Sequence, residues 1–323
     1  MNLETIGVAF GGVGATLIVG KDLGLKPQFL IEPRTFVHPE TIKYNFPELL
    51  FINDLKDSRI NTLKSDILVG NPSCAQFSPL GMKRKDRGNM DKVPLEEIEF
   101  FQFLDLVKMI KPKVFILENV PQIMKSLCFT NNILDTLFRL GDKDFRLECY
   151  NVTNCKLNLT ELDWPQNRNR VYYVGYQLGY KKTNFFPDWK VEESDKYCFS
   201  SCCKDLLFDL EEDYNSEINH TKPNHTVDRI NRMAELKYGE SYYGTQNNRR
   251  LDPDKAAYTI TSHCTRHIHY RLPRTLTVRE CARLQGFPDS FIFSGNESQQ
   301  LDQVGKSLAI PAINFVLNRI LLN

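Results

Sequence analysis

Short apolar runs recur through the first half of the chain and end at Phe10, Glu32, Gly70 and Glu118; Ile67-Leu68-Val69 and Val114-Phe115-Ile116-Leu117 are two of them. Runs this short, without polar alternation, suit strands buried on both faces of a parallel sheet. Between two of them, Leu95 to Ile110 carries apolar residues at helical spacing, and Lys111-Pro112 stops the pattern. Strand–helix–strand alternation implies right-handed crossovers and an open α/β sheet. Such sheets gather ligands beyond the carboxyl ends of their strands. Val171-Tyr172-Tyr173-Val174 predicts one more strand, and Ile310 to Leu322 an apolar-periodic helix that packs back on the sheet.

The texture changes after about residue 179. Glu192 to Glu217 is acid-rich, Asn, His and Pro cluster through Asn219 to His225, and a series of arginines follows from Arg229 to Arg283. This predicts a catalytic domain from 1–178 plus 296–323 and a second, smaller lobe over 179–295. With 323 residues, 41% hydrophobic and 25% charged, the composition is that of a globular chain and excludes disordered and collagen-like readings. The net charge of +1 gives no global positive field, so any basic surface is local. No apolar run approaches the ~20 residues that span a bilayer, and Met1 to Phe10 does not read as a signal peptide. Nine irregularly spaced Cys fit a reducing compartment, so the expectation is a soluble intracellular protein.

The candidate chemistry lies at the ends of the predicted strands. Phe10-Gly11-Gly12-Val13-Gly14-Ala15 follows the first strand, where glycines let the backbone approach a ligand. Glu32, ending the second, is placed to bind ribose hydroxyls of an adenosine cofactor, and Asp54 ends the next segment. Gly70-Asn71-Pro72-Ser73-Cys74 puts a thiol on a turn at the same rim, with Lys83-Arg84-Lys85 after it. Nearby cations favour the nucleophilic thiolate. Glu118-Asn119-Val120-Pro121 ends another strand, and its carboxylate can bind a heterocycle or move a proton. In Gln166-Asn167-Arg168-Asn169-Arg170, strand alternation sends both arginines to one face. Cys198, Cys202 and Cys203 lack the paired spacing of a zinc site, and no metal is expected.

In this order, the pieces resemble the cytosine-C5 DNA methyltransferase family. The first turn resembles its F-x-G-x-G, the Cys74 segment its P-C-Q, Glu118-Asn119-Val120 its E-N-V and Gln166 to Arg170 its Q-x-R-x-R. Arg274 to Pro288 resembles R-x-L-T-x-R-E-x-A-R-L-Q-x-F-P, and Gln303-Val304-Gly305 opens the last motif. The resemblance implies a Rossmann-like methyltransferase sheet, mostly parallel with helices on both faces, and a target-recognition lobe. It further implies S-adenosylmethionine over Phe10, Gly12 and Gly14, with Glu32 on the ribose, Asp54 near the adenine, and Pro72, Lys306 and Leu308 also at the cofactor. Cys74 would add to C6 of a flipped cytosine, Glu118 would stabilise the protonated N3, and Arg168 would help hold the base. Lys83 to Asn89 resembles the loop that closes over the nucleotide. Arg279 and Arg283 fall in a motif whose role is mainly structural. The implied partner is double-stranded DNA, met by a monomer in the cytoplasm of a bacterial or phage-infected cell, or else in a nucleus.

Three positions depart from the family pattern: Ser73 replaces a proline, Ala75 a glutamine and Lys306 an asparagine. An ammonium ~5 Å from a sulfonium would cost about 3 kcal/mol at an effective dielectric of ~20. Lys306 therefore points to solvent, pairs with Asp302 or the cofactor carboxylate, or complements an extra anion. In the last case the donor is carboxy-S-adenosylmethionine and the product carboxymethylcytosine. The sequence also leaves room for a tRNA cytosine-C5 methyltransferase and for a catalytically impaired DNA-binding homologue.

Overall fold

The computed structural model describes residues 2–73, 99–125, 150–180, 187–199, 201–242, 248–261 and 266–322. Among them, seven strands form one sheet in the order β3-β2-β1-β4-β5-β8-β6. These are β1 (Thr5–Ala9), β2 (Lys26–Ile31), β3 (Leu50–Ile52), β4 (Ile67–Gly70), β5 (Val114–Asn119), β6 (Tyr150–Asn158) and β8 (Asn169–Gln177). The first five run parallel, whereas β8 is antiparallel to both β5 and β6. The chain order reverses between β1 and β4, which places the ligand crevice of an open α/β sheet beyond their carboxyl ends.

The continuous apolar runs are explained by burial on two sides. Ile6, Val8, Leu30, Val69 and Ile116 face one core, shared with helices α1 (Ala15–Asp22) and α7 (Ile310–Leu321). Phe29, Ile31, Leu68, Phe115 and Leu117 face the other, shared with α3 (Glu99–Ile110). Neighbouring residues of one strand thus point to opposite layers. A smaller helix, α2 (Pro39–Asn45), lies between β2 and β3 in sequence. The expected helix from Leu95 is described from Glu99 onward and ends at Ile110, before Lys111 with its positive φ of 53°.

Cys203, Leu207, Leu251, Ile260, Tyr270 and Leu276, from the 179–295 segment, join the first of these cores. A short parallel pair, β7 (Gln166–Asn167) with β9 (Ala257–Tyr258), ties that segment to the sheet region. Further helices among the described residues are a single turn at Lys204–Leu207 and α4 (Val227–Glu235), α5 (Val278–Leu284) and α6 (Glu297–Lys306). α5 opens with a Thr277/Glu280 capping box, and Glu280 is fully buried in a bidentate pair with Arg274. Arg279 is also fully buried and donates to the carbonyls of Ile218, Pro288 and Phe291. Arg283 pairs with Asp209 and Asp289. Both arginines of this helix therefore hold loops in place. No helix among the described residues is long and apolar enough to cross a membrane.

Candidate active site

The chain leaves β1 through Phe10, whose φ of 56° starts a sharp turn, and Gly12 and Gly14 continue it with φ of 64° and 86°. A Cβ on Gly12 would lie 2.8 Å from Ser307 Oγ, so backbone and α6–α7 junction meet here without room for a side chain. Gly12 N–H donates to Glu32 Oε2 at 2.7 Å, which fixes the acid at the end of β2 against the turn. Glu32 is almost wholly buried. Its remaining capacity is taken by Arg34: the backbone N–H (3.1 Å) and Nε (2.6 Å) donate to Oε1, and Nη2 (2.5 Å) to Oε2. A carboxylate offers about four lone-pair sites, and all are used. Arg34 also donates to Phe10 O and, at 3.1 Å, to Asn71 O. Its guanidinium therefore lies where β1, β2 and β4 converge, in the crevice that the topology reserves for a ligand. Ribose hydroxyls can take Glu32 only after Arg34 moves, and nothing in the sequence pattern signals this.

The second half of the site is at the ends of β4 and β5. Glu118 is buried to 1% exposure. Asn71 Nδ2 donates to its Oε2, and Arg170 Nε stands 2.9 Å from Oε1 as an ion pair. Among the described residues no hydrogen bond reaches Oε1, so beside the Arg170 ion pair this oxygen keeps acceptor capacity inside a buried site. Tyr172 lies opposite Glu118 in the β5–β8 register, and burial, aided by the Glu118 charge, pushes its phenol well above the ordinary range. Asn119 Nδ2 donates to Pro72 O at 3.3 Å, and Glu99 Oε2 accepts from Ser73 N–H at 2.6 Å. Burial raises the Glu99 carboxyl above its usual value, against the opposing charge of Arg34. The turn that leads into Cys74 is thereby built from the ends of both strands. Cys74 itself and the Lys83–Asn89 segment lie outside the described residues.

Several expected residues sit differently. Arg168 does not reach Glu118: the strand is interrupted at Arg168, between β7 and β8, and its guanidinium donates to Ile260 O (2.8 Å) and Ser307 O (3.2 Å). Arg170, to which the sequence pattern assigned no role, is the arginine at the acid; the motif's second Arg was the available signal. Lys306 pairs with Asp302 one helical turn back (2.7 Å) and stacks over Phe36 at 4.6 Å. Its charge is thus already compensated on the protein surface. Leu308 packs its side chain fully into the core. Asp54 is exposed beyond β3 and accepts from Lys56 N–H. Pro72 is buried, next to Asn119. Among the described residues no group of three or more His, Cys, Asp or Glu side chains is placed to hold a metal ion.

The site so assembled can be set beside known proteins. The sequence profile of the C-5 cytosine-specific DNA methylases matches residues 38–322. This chain belongs to the C-5 cytosine-specific DNA methylase family. The Type II methyltransferase M1.HphI of Haemophilus parahaemolyticus is 30% identical over 307 residues, covering 88% of this chain and 76% of that enzyme. The Type II methyltransferase M.FnuDI of Fusobacterium nucleatum is 27% identical over 305 residues, covering 87% and 84%. A crystal structure of a putative DNA modification methyltransferase encoded within an E. coli prophage superposes with a TM-score of 0.74 at 22% identity, covering 98% of each chain. The seven-stranded sheet is accordingly the Rossmann-like fold of methyltransferases. Within this C-5 methylase scaffold, Glu118, Arg170, Asn71 and the Ser73 turn form one rim, and the Phe10–Gly14 turn with Glu32 forms the other.

Proposed function

We propose that the chain is an S-adenosylmethionine-dependent DNA cytosine-C5 methyltransferase of restriction–modification type, acting on a cytosine flipped out of double-stranded DNA. The observation that carries this reading is the buried Glu118, set between Asn71 and Arg170 with Oε1 hydrogen-bonded to none of the described residues, beside the turn that enters Cys74. C5 and C6 of a stacked cytosine are out of reach of a nucleophile, so the base must leave the helix. Glu118 then hydrogen-bonds the pyrimidine at N3 and favours its protonated form, while Arg170 keeps the carboxylate oriented. Withdrawal of electrons through N3 makes C6 electrophilic, and the Cys74 thiolate adds there. The electron pair released to C5 takes up a methyl group. Removal of the C5 proton and expulsion of Cys74 restore the aromatic ring.

The donor's sulfonium supplies an electrophilic methyl group. The glycine turn at Gly12 and Gly14 and the acid at Glu32 suit a nucleoside, once Arg34 gives up its bonds to Glu32. The compensation of Lys306 by Asp302 supports methyl, rather than carboxymethyl, as the group moved. Target recognition falls to the 179–295 segment. There Arg229 and Arg232 stack on Tyr242 and Arg249 on Tyr258, arrangements suited to phosphate and base contacts. By contrast Arg266, Arg271, Arg274 and Arg283 are tied to Glu297, Glu211, Glu280 and Asp289.

Nucleoside mass spectrometry on duplex DNA and on tRNA, each incubated with the protein and either S-adenosylmethionine or its carboxylated form, tests the proposal. 5-Methylcytosine in DNA alone is the expected result. Methylation confined to tRNA, a carboxymethylated base made only with the carboxylated donor, or no product would each overturn it.

A further inference from the structure

Three successive residues before Cys74 are held by three side chains from different parts of the fold. Arg34 Nη1 donates to Asn71 O at 3.1 Å, Asn119 Nδ2 donates to Pro72 O at 3.3 Å, and Glu99 Oε2 accepts from Ser73 N–H at 2.6 Å. The last of these depends on the N–H that Ser73 carries. The family pattern has a proline where Ser73 stands, and proline has no N–H. A serine introduces a backbone donor next to the nucleophile, and a half-buried donor needs an acceptor. Glu99, the first residue of α3, supplies one, and a carboxylate makes the bond charge-assisted. Arg34 Nη1 lies 3.6 Å from the same Glu99 oxygen and balances its charge.

We propose that Glu99 is a positioning residue for the reaction: through the Ser73 N–H it fixes the direction in which the chain enters Cys74. Glu99 touches no substrate in this role; it acts through one peptide group. The inference rests on the proposed function, which makes Cys74 the nucleophile. It has a specific signature. If Glu99 works through the Ser73 N–H, it becomes dispensable once that N–H is removed.

The test compares the wild type with Glu99→Ala, Glu99→Gln, Ser73→Pro and the double variant Ser73→Pro/Glu99→Ala. The first readout is the rate of covalent adduct formation on duplex DNA containing 5-fluorocytosine. Glu99→Ala should slow it about tenfold, the order expected for one lost charge-assisted bond. Glu99→Gln, which keeps an acceptor, should stay within about threefold. In the Ser73→Pro background, Glu99→Ala should cost less than about twofold, because the coupled partner is gone. An equal loss in both backgrounds overturns the proposal.

The second readout needs no DNA: alkylation of Cys74, followed by peptide mass spectrometry, with buried Cys203 and Cys281 as internal controls of folding. Loosening of the turn by Glu99→Ala should speed Cys74 alkylation several-fold, and not in the Ser73→Pro background, while both controls stay protected. Unchanged Cys74 alkylation overturns the proposal. Absence of any adduct in the wild type would sink the proposed function instead, and the alkylation ratios would still decide the role of Glu99.

Discussion

Arg170, not Arg168, meets Glu118: its Nε stands 2.9 Å from Oε1, whereas Arg168 spends its guanidinium on the carbonyls of Ile260 and Ser307. The two arginines should therefore fail differently. Arg170→Ala should lower kcat by about 100-fold, as loss of one preorganised electrostatic partner does, a far larger effect on catalysis than on Tm, which falls because Glu118 is left buried without its partner. Arg168→Ala takes from the buried Ile260 carbonyl its side-chain donor, while Ser307 O keeps Gln285 Nε2, and should lower stability by about 2 kcal/mol. Denaturant melts and steady-state kinetics on the two variants check this. The reverse assignment of effects would contradict the geometry.

Arg34 competes with any ligand for Glu32. Removing the guanidinium leaves Glu32 with its contacts to the backbone N–H groups of Gly12 and Arg34 and frees the acceptor sites that the guanidinium held. Arg34→Met should therefore tighten S-adenosylmethionine binding by about tenfold, the equivalent of about 1.4 kcal/mol, in calorimetric titration. A weaker complex would show that the guanidinium belongs to the bound state rather than opposing it.

The Lys306–Asp302 pair is exposed and one helical turn apart, a geometry worth about 0.3–0.5 kcal/mol. Lys306→Asn should change neither the donor KM by more than about twofold nor the mass of the transferred group. A switch of donor preference in this variant would restore a cofactor role for Lys306.

Buried histidines make the fold sensitive to acid. Burial lowers His267 and His269 from 6.5 to about 4. Between pH 6.5 and about 4 the unfolded chain binds protons at these rings and the folded chain does not. Their contribution is thus present above pH 6.5 and declines as the pH falls through that window, by up to about 1.4 kcal/mol per ring per pH unit. Tm should drop between pH 6.5 and 5, and less steeply in His267→Gln. A flat profile would contradict the burial of these rings.

The fold was largely legible because strands buried on both faces leave uninterrupted apolar runs: the segments ending at Phe10, Glu32, Gly70 and Glu118 are β1, β2, β4 and β5. The edge strand β6 was not, since only Tyr150, Cys155 and Leu157 of Tyr150–Asn158 are buried, among many polar residues. At the site, the strand-end turn and the acids could be read from position alone. Arg170 was missed because alternation assumes an unbroken strand, and the break falls on Arg168. Arg34 and Glu99 were missed for a different reason. Their contacts join the ends of β1, β2 and β4 to the start of α3, and no local pattern encodes a meeting of residues so far apart in sequence.

The central claim is a covalent bond between Cys74 and C6 of a cytosine drawn out of duplex DNA. Digestion of the complex trapped on 5-fluorocytosine DNA with S-adenosylmethionine, followed by peptide mass spectrometry, tests it directly. The account predicts one cross-linked peptide containing Cys74, carrying a methylated fluoropyrimidine, and no adduct in Cys74→Ala. An adduct that survives Cys74→Ala, or a wild type that methylates DNA without forming one, would contradict it.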